Sequence, residues 1–126
     1  MATNKRNVMN AGNQGGSGFG ERVRQWRLLR SLTQAELASR MSVSVSYICK
    51  VENGKLHFGD YPSEKFIHKL AEELQADADE LLLLADKVPS SILLKIRQRP
   101  EFFRKLAKLN GKELDALESV VASVVK

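Results

Sequence analysis

The chain of 126 residues has one cysteine, three prolines and few aromatics, which make up 6% of it. A lone Cys49 excludes an intramolecular disulfide and fits a reducing compartment. The longest apolar run, Leu81 to Ala85, falls far short of the roughly 20 residues that a membrane-spanning helix needs. Behind Lys5 and Arg6 there is no apolar stretch of the kind a secretory signal carries. These absences lead us to expect a cytoplasmic protein with no membrane association. Groupings that carry chemistry are missing as well. No Ser/His/Asp or Cys/His set can be assembled, and the acidic residues stand at expected helix starts or on solvated faces. His57 and His68 have no metal-ligand spacing with each other or with Cys49. Gly15, Gly16, Gly18 and Gly20 are not followed by the Gly-Lys-Ser/Thr of a phosphate-binding loop. The reading is therefore of a non-enzyme without metal or other cofactor.

What is present suits a small helical protein. A hydrophobic fraction of 43% with so few aromatics points to an all-α fold, and the length leaves room for one ordinary domain plus a short extension. The formal charge of +5 is unevenly spread. Residues 1–60 hold nine Lys/Arg and four Asp/Glu, residues 61–88 three and seven, and residues 89–126 eight and four. Positive charge at both ends suits an anionic partner, and the acidic middle would face away from it.

The most informative stretch is 33–55, TQAELASRMSVSVSYICKVENGK. Thr33 followed by Glu36 has the spacing of a capping box, which satisfies two of the orphan amides at a helix start. Leu37, Ala38 and Met41 give that helix a narrow apolar stripe, and Ser44 supplies a second N-cap almost at once. In the helix that follows, Ile48 and Val51 share one face, whereas Ser46, Cys49, Lys50 and Asn53 project from the other. Two short capped helices joined by a tight turn, the second with a polar outer face, form the helix-turn-helix plan, whose second helix enters a DNA major groove.

At these residues the sequence resembles the lambda-repressor-like, Cro-type helix-turn-helix regulators. LTQAELA, the S-V-S-x-S-Y-I turn and the closing K-V-E-N-G-K carry the likeness, which extends from Phe19 to about Ala85. It implies a five-helix DNA-binding domain over 19–88. It also implies that Val45, Ser46 and Lys50 face bases, flanked by Ser44, Tyr47 and Cys49, and that Gln34 holds a backbone phosphate. Asn53 and Lys55 are further phosphate candidates. Lys50 can donate to guanine O6 and N7, and Val45 can meet a thymine methyl. No Gln, Asn or Arg occupies the base-facing positions, so phosphates would carry much of the affinity and DNA shape part of the specificity. The resemblance further implies an ion pair between Arg27 and Glu52. Oxidation of Cys49 at the groove is a conceivable switch, without any evident set of groups to stabilise a thiolate.

The remaining segments fall around this domain. Residues 1–18, rich in Asn and Gly, cannot bury enough apolar surface to order themselves; they read as a disordered arm, either inert or touching DNA through Lys5 and Arg6. Helix 1 is expected from Phe19 or Gly20 to Arg30, with Phe19, Val23 and Trp26 inward and Arg22, Arg24 and Arg30 outward. Leu28 and Leu29 are apolar where relatives are polar, and are either stray or covered by the extension. Asn53-Gly54 stops helix 3, Lys55 to Tyr61 reads as a loop, and Pro62-Ser63 starts helix 4, with Phe66, Ile67, Leu70, Ala71 and Leu74 inward. Asp77 and Glu80 have capping-box spacing ahead of Leu81, Leu82 and Leu84. Residues 89–126 read as a C-terminal helical extension. Its apolar residues, among them Phe102, Phe103, Leu106, Leu114, Leu117, Val121 and Val124, either form a dimer interface, which we favour, or fold back on their own domain.

The sequence thus leads us to expect a dimeric, sequence-specific repressor of transcription on a palindromic operator in double-stranded DNA. The alternative is an antitoxin or a phage or mobile-element adaptor, whose C-terminal helices bind a partner protein while the helix-turn-helix regulates its own operon.

Overall fold

The structure, a computed structural model, describes residues 18–125. The arm expected over 1–18, with Lys5 and Arg6, lies outside the described residues except for Gly18. The described residues are all-α, as expected from the sequence, and fall into two compact units. One ends at Pro89 and holds α1 (Phe19–Leu29), α2 (Gln34–Met41), α3 (Val45–Asn53), α4 (Glu64–Leu74) and α5 (Ala78–Leu84). The other begins at Ser90 and holds α6 (Ser90–Gln98), α7 (Pro100–Leu106) and α8 (Gly111–Val124).

Local chemistry sets the ends of the helices in the first unit. Thr33 Oγ1 accepts from the Glu36 amide at 3.0 Å while the Glu36 carboxylate accepts from the Thr33 amide at 2.8 Å, so α2 starts on a complete capping box. It stops at Ser42, which is left-handed with φ 59°, and the Val43 amide closes the turn onto the Ala38 carbonyl at 3.0 Å. Three residues, Ser42 to Ser44, therefore separate α2 from α3. Ser44 Oγ then accepts from the Tyr47 amide at 3.0 Å, and Ser63 Oγ accepts from that of Phe66 at 3.1 Å at the start of α4. Gly54, at φ 66°, ends α3 in the left-handed conformation that glycine adopts without steric cost.

These helices pack around one core in which Val23, Leu37, Ile48, Ile67, Leu70, Leu74, Leu81 and Leu82 are fully buried. Burying each leucine contributes on the order of 1.5–3 kcal/mol. Helix α3 lies against both α1 and α2, α4 against α2 and α5, and α1 against α5. Two neighbours thus fix the direction in which α3 projects.

Four local details correct or refine these expectations. Asp77 caps α5 through a single bond from the Asp79 amide, with no reciprocal bond from the Asp77 amide to Glu80, whose carboxylate instead accepts from Arg22 Nε at 3.2 Å. Leu84 is only partly buried, whereas Leu81 and Leu82 are wholly inside. The loop after α3 contains a 3-10 turn, Phe58–Asp60, closed by the Asp60 amide on the His57 carbonyl at 2.8 Å. Arg30 does not face solvent freely; its Nε donates to the Leu74 carbonyl at 2.6 Å, and its guanidinium lies over Trp26 at 5.1 Å, with Arg22 over the same ring at 5.0 Å.

In the second unit, α8 starts on a capping box formed by Asn110 and Glu113. Pro100 opens α7, where its missing amide costs nothing. None of α6, α7 and α8 contains a buried residue.

Candidate nucleic-acid interface

The candidate site is built on α3 and the turn before it. Ile48 and Val51 anchor one side of α3 in the core, which forces Ser46, Lys50 and Asn53 to the other side, where all three are exposed. Val45 is 45% exposed at the first turn. Ser44 is exposed beside it; its oxygen accepts the cap bond, which leaves its hydroxyl proton able to donate. Cys49 is half-buried, and its sulfur accepts from Asn53 Nδ2 at 3.3 Å. Lys55 is exposed just beyond the helix, its amide held by the Lys50 carbonyl at 2.9 Å. Among the described residues, neither Lys50 nor Lys55 is in an ion pair, whereas Arg22, Arg27 and Arg40 each meet a glutamate. The first unit's uncompensated positive charge thus includes the last turn of the exposed face of α3 and the residue just beyond that helix.

A buried polar network sets the tilt of this face. Arg27 of α1 and Glu52 of α3 are 7% and 6% exposed, and they meet fork to fork, Nε to Oε2 at 2.6 Å and Nη2 to Oε1 at 3.0 Å. Arg27 Nη1 also donates to the Leu32 carbonyl at 2.8 Å, which ties in the α1–α2 turn. The bond to Glu52 holds the Arg27 pKa above its ordinary value, against the burial that would lower it. Gln34 joins the same carboxylate, Nε2 to Oε1 at 3.0 Å, and so links α2 to α3. Three segments thus converge on one carboxylate. The sequence pointed to the Arg27–Glu52 pairing only through the family resemblance, and nothing in spacing marked Gln34 as its third member.

Tyr47 also differs in surroundings from a free flanking residue. Its hydroxyl donates to the Asp60 carbonyl at 2.9 Å, and its ring meets Phe66 edge to face at 5.6 Å. Burial first, and the nearby Asp60 charge second, push its pKa up. Tyr47 thereby fastens the 3-10 turn to α3, a long-range role that no local signal announces. The seven apolar residues singled out in the extension all lie in the second unit, where Phe102, Leu114, Val121 and Val124 are 46%, 42%, 50% and 73% exposed, and Phe103, Leu106 and Leu117 are partly covered. No helix of the described residues is long and apolar enough to cross a membrane.

Comparison with known proteins adds the following. A family model described as a helix-turn-helix domain matches residues 19–84. No curated protein matches the chain. Among solved structures it is similar to the master regulator for biofilm formation SinR in complex with DNA, at 28% identity over 51% of this chain and 97% of that one, with a TM-score of 0.45. It is also similar to a hypothetical transcription factor, NHTF, from Neisseria, at 23% identity over 65% and 82% of the two chains and a TM-score of 0.46. A third likeness is to the SinR protein/SinI protein complex, at 20% identity over 82% and 94%, with a TM-score of 0.47.

Proposed function

The chain belongs to the helix-turn-helix domain family, as its resemblance to the lambda-repressor-like, Cro-type regulators led us to expect, and from that premise we propose that it is a sequence-specific, DNA-binding regulator of transcription. The observation that carries the reading is the two-sidedness of α3: Ile48 and Val51 are locked in the core while Ser46 and Lys50 stand in solvent. In this reading Val45, Ser46 and Lys50 meet base edges in the major groove, and Ser44, Asn53 and Lys55 meet phosphates or flanking groups. Gln34 still has one amide hydrogen for a phosphate beside the one it gives Glu52. Cys49 borders the contact. Tyr47 flanks it with its hydroxyl engaged by Asp60.

Lys50→Ala is expected to weaken specific binding and to relax preference at one base position, by about 1–3 kcal/mol of discrimination. Lys55→Ala should instead weaken all sequences alike and reduce the salt slope by about one phosphate. Selection of bound duplexes from a random pool checks both. A Lys50→Ala protein that selects the same sequences as the parent would remove α3 from the role of reader.

We further propose that the protein acts as a dimeric repressor on a palindromic operator, with half-sites about 34 Å apart and the second unit as the dimer contact. The support is that α6 to α8 leave their apolar side chains without a core. Truncation after Val88 should give a monomer with much poorer operator affinity, measured by sedimentation and titration with the selected duplex; a truncated protein that stays dimeric moves the contact to the first unit. The same exposed side chains support a second reading, in which a different protein covers the extension. A native heterocomplex that survives salt able to strip DNA would favour it.

A further inference from the structure

The second unit sorts its charges by helix. Residues 90–110, through α6, α7 and the link after them, hold six Lys/Arg and one acid, Glu101, which is paired with Arg104 one turn on. Residues 111–125, the span of α8, hold Glu113, Asp115 and Glu118 against Lys112 alone. The charges border the apolar stripes. On α8, Glu118 lies one turn from both Leu114 and Val121; on α7, Lys105 lies one turn from Phe102. Those neighbouring apolar side chains are 42–50% exposed, so α7 and α8 of one chain do not satisfy each other.

We propose that in the dimer each copy lays its α8 against the α7 of the other. This rests on the dimeric reading above and specifies its geometry. The exchange is self-complementary, as a two-fold interface requires, since the contact of α8 on α7 recurs with the copies interchanged. It closes two apolar stripes at once and sets an acidic border against a basic one. Pairing α8 with α8 would instead bring Glu118 towards its own counterpart, and pairing α7 with α7 would do the same to Lys105, with Lys108 in the turn just after that helix adding to the repulsion. Charges that border an apolar helix stripe set partner and orientation more than they set affinity.

The test is charge reversal on the full chain at four positions that are all exposed. One variant carries Asp115→Lys with Glu118→Lys, a second carries Lys105→Glu with Lys108→Glu, and a third carries all four. Sedimentation equilibrium at low salt should find self-association of each two-site variant weakened about tenfold or more, because both symmetry-related contacts become repulsive. The four-site variant should return to within about threefold of the parent, and an equimolar mixture of the two-site variants should form a mixed dimer. Salt near 0.5 M should shrink these differences. Far-UV circular dichroism checks that helix content is kept. If both two-site variants dimerise as the parent does, the exchanged geometry is wrong while the dimer stands. If the parent itself sediments as a monomer at high micromolar concentration, the dimer reading falls with it.

Discussion

Glu52→Ala is expected to lower the unfolding free energy by about 3–5 kcal/mol, because it strands the Arg27 guanidinium in the core. The carboxylate receives Arg27 twice and Gln34 once, at 2.6–3.0 Å, and its side chain is 1% exposed. Water therefore cannot replace it without opening the junction of α1, α2 and α3. For a domain of this size the loss corresponds to a fall in Tm on the order of 15–30 °C, readable by thermal or urea denaturation. The network is not thereby a source of net stability, since replacing a buried pair by apolar side chains of similar volume is often neutral. Arg27→Met with Glu52→Leu should accordingly regain much of the loss. The recovery would be partial, because the Leu32 carbonyl and the Gln34 amide lose partners. What the double variant should not recover is sequence preference, because the fork that sets the tilt of α3 on α1 is gone. Stability restored together with full preference would show that packing alone orients the reader. A Glu52→Ala protein within about 1 kcal/mol of the parent would show that the site is wetter than its burial implies.

How far the fold could be read from the sequence depended on the range of the chemistry. The Thr33–Glu36 box, the Ser44 and Ser63 caps and the Gly54 stop are interactions across two to five residues, and the sequence displays both partners side by side. Helical spacing likewise placed Ile48 and Val51 inside and Ser46 and Lys50 outside. Where a residue has a choice between a near and a distant partner, local reading fails. Glu80 has the spacing to close a box with Asp77, yet it goes to Arg22, 58 positions away. Periodicity turns Arg30 outward, but a guanidinium on a long stem can fold over Trp26 and reach the carbonyls that end α4. Asn110 and Glu113 are the opposite case, a box whose two partners stand three residues apart and close on each other. The site residues divide the same way. Outward-facing positions on α3 follow from spacing, whereas Gln34 on Glu52 and Tyr47 on Asp60 depend on how three elements meet.

Gly20→Ala is expected to destabilise the protein by about 3 kcal/mol, although helix propensity argues for the reverse. Alanine in place of a helical glycine ordinarily stabilises by about 0.5–1 kcal/mol, and Gly20 lies in the first turn of α1 with no left-handed backbone to protect. The opposing effect is contact. A Cβ at Gly20 would lie 2.3 Å from the Val51 carbonyl oxygen and 2.6 Å from that of Glu52, far inside any tolerated separation. Both atoms are backbone at the end of α3, so no side chain can swing aside. Either α1 or α3 must shift, and the Arg27–Glu52 fork spans these same two helices. The substitution should therefore lower Tm and also weaken the preference for one duplex sequence. Gly111→Ala serves as the control, since a Cβ there meets nothing within 4 Å at the start of α8. Its stability should match or slightly exceed that of the parent. If Gly20→Ala melts with the parent, α1 and α3 can separate at no cost, and the close approach does not fix the angle at which α3 leaves the domain.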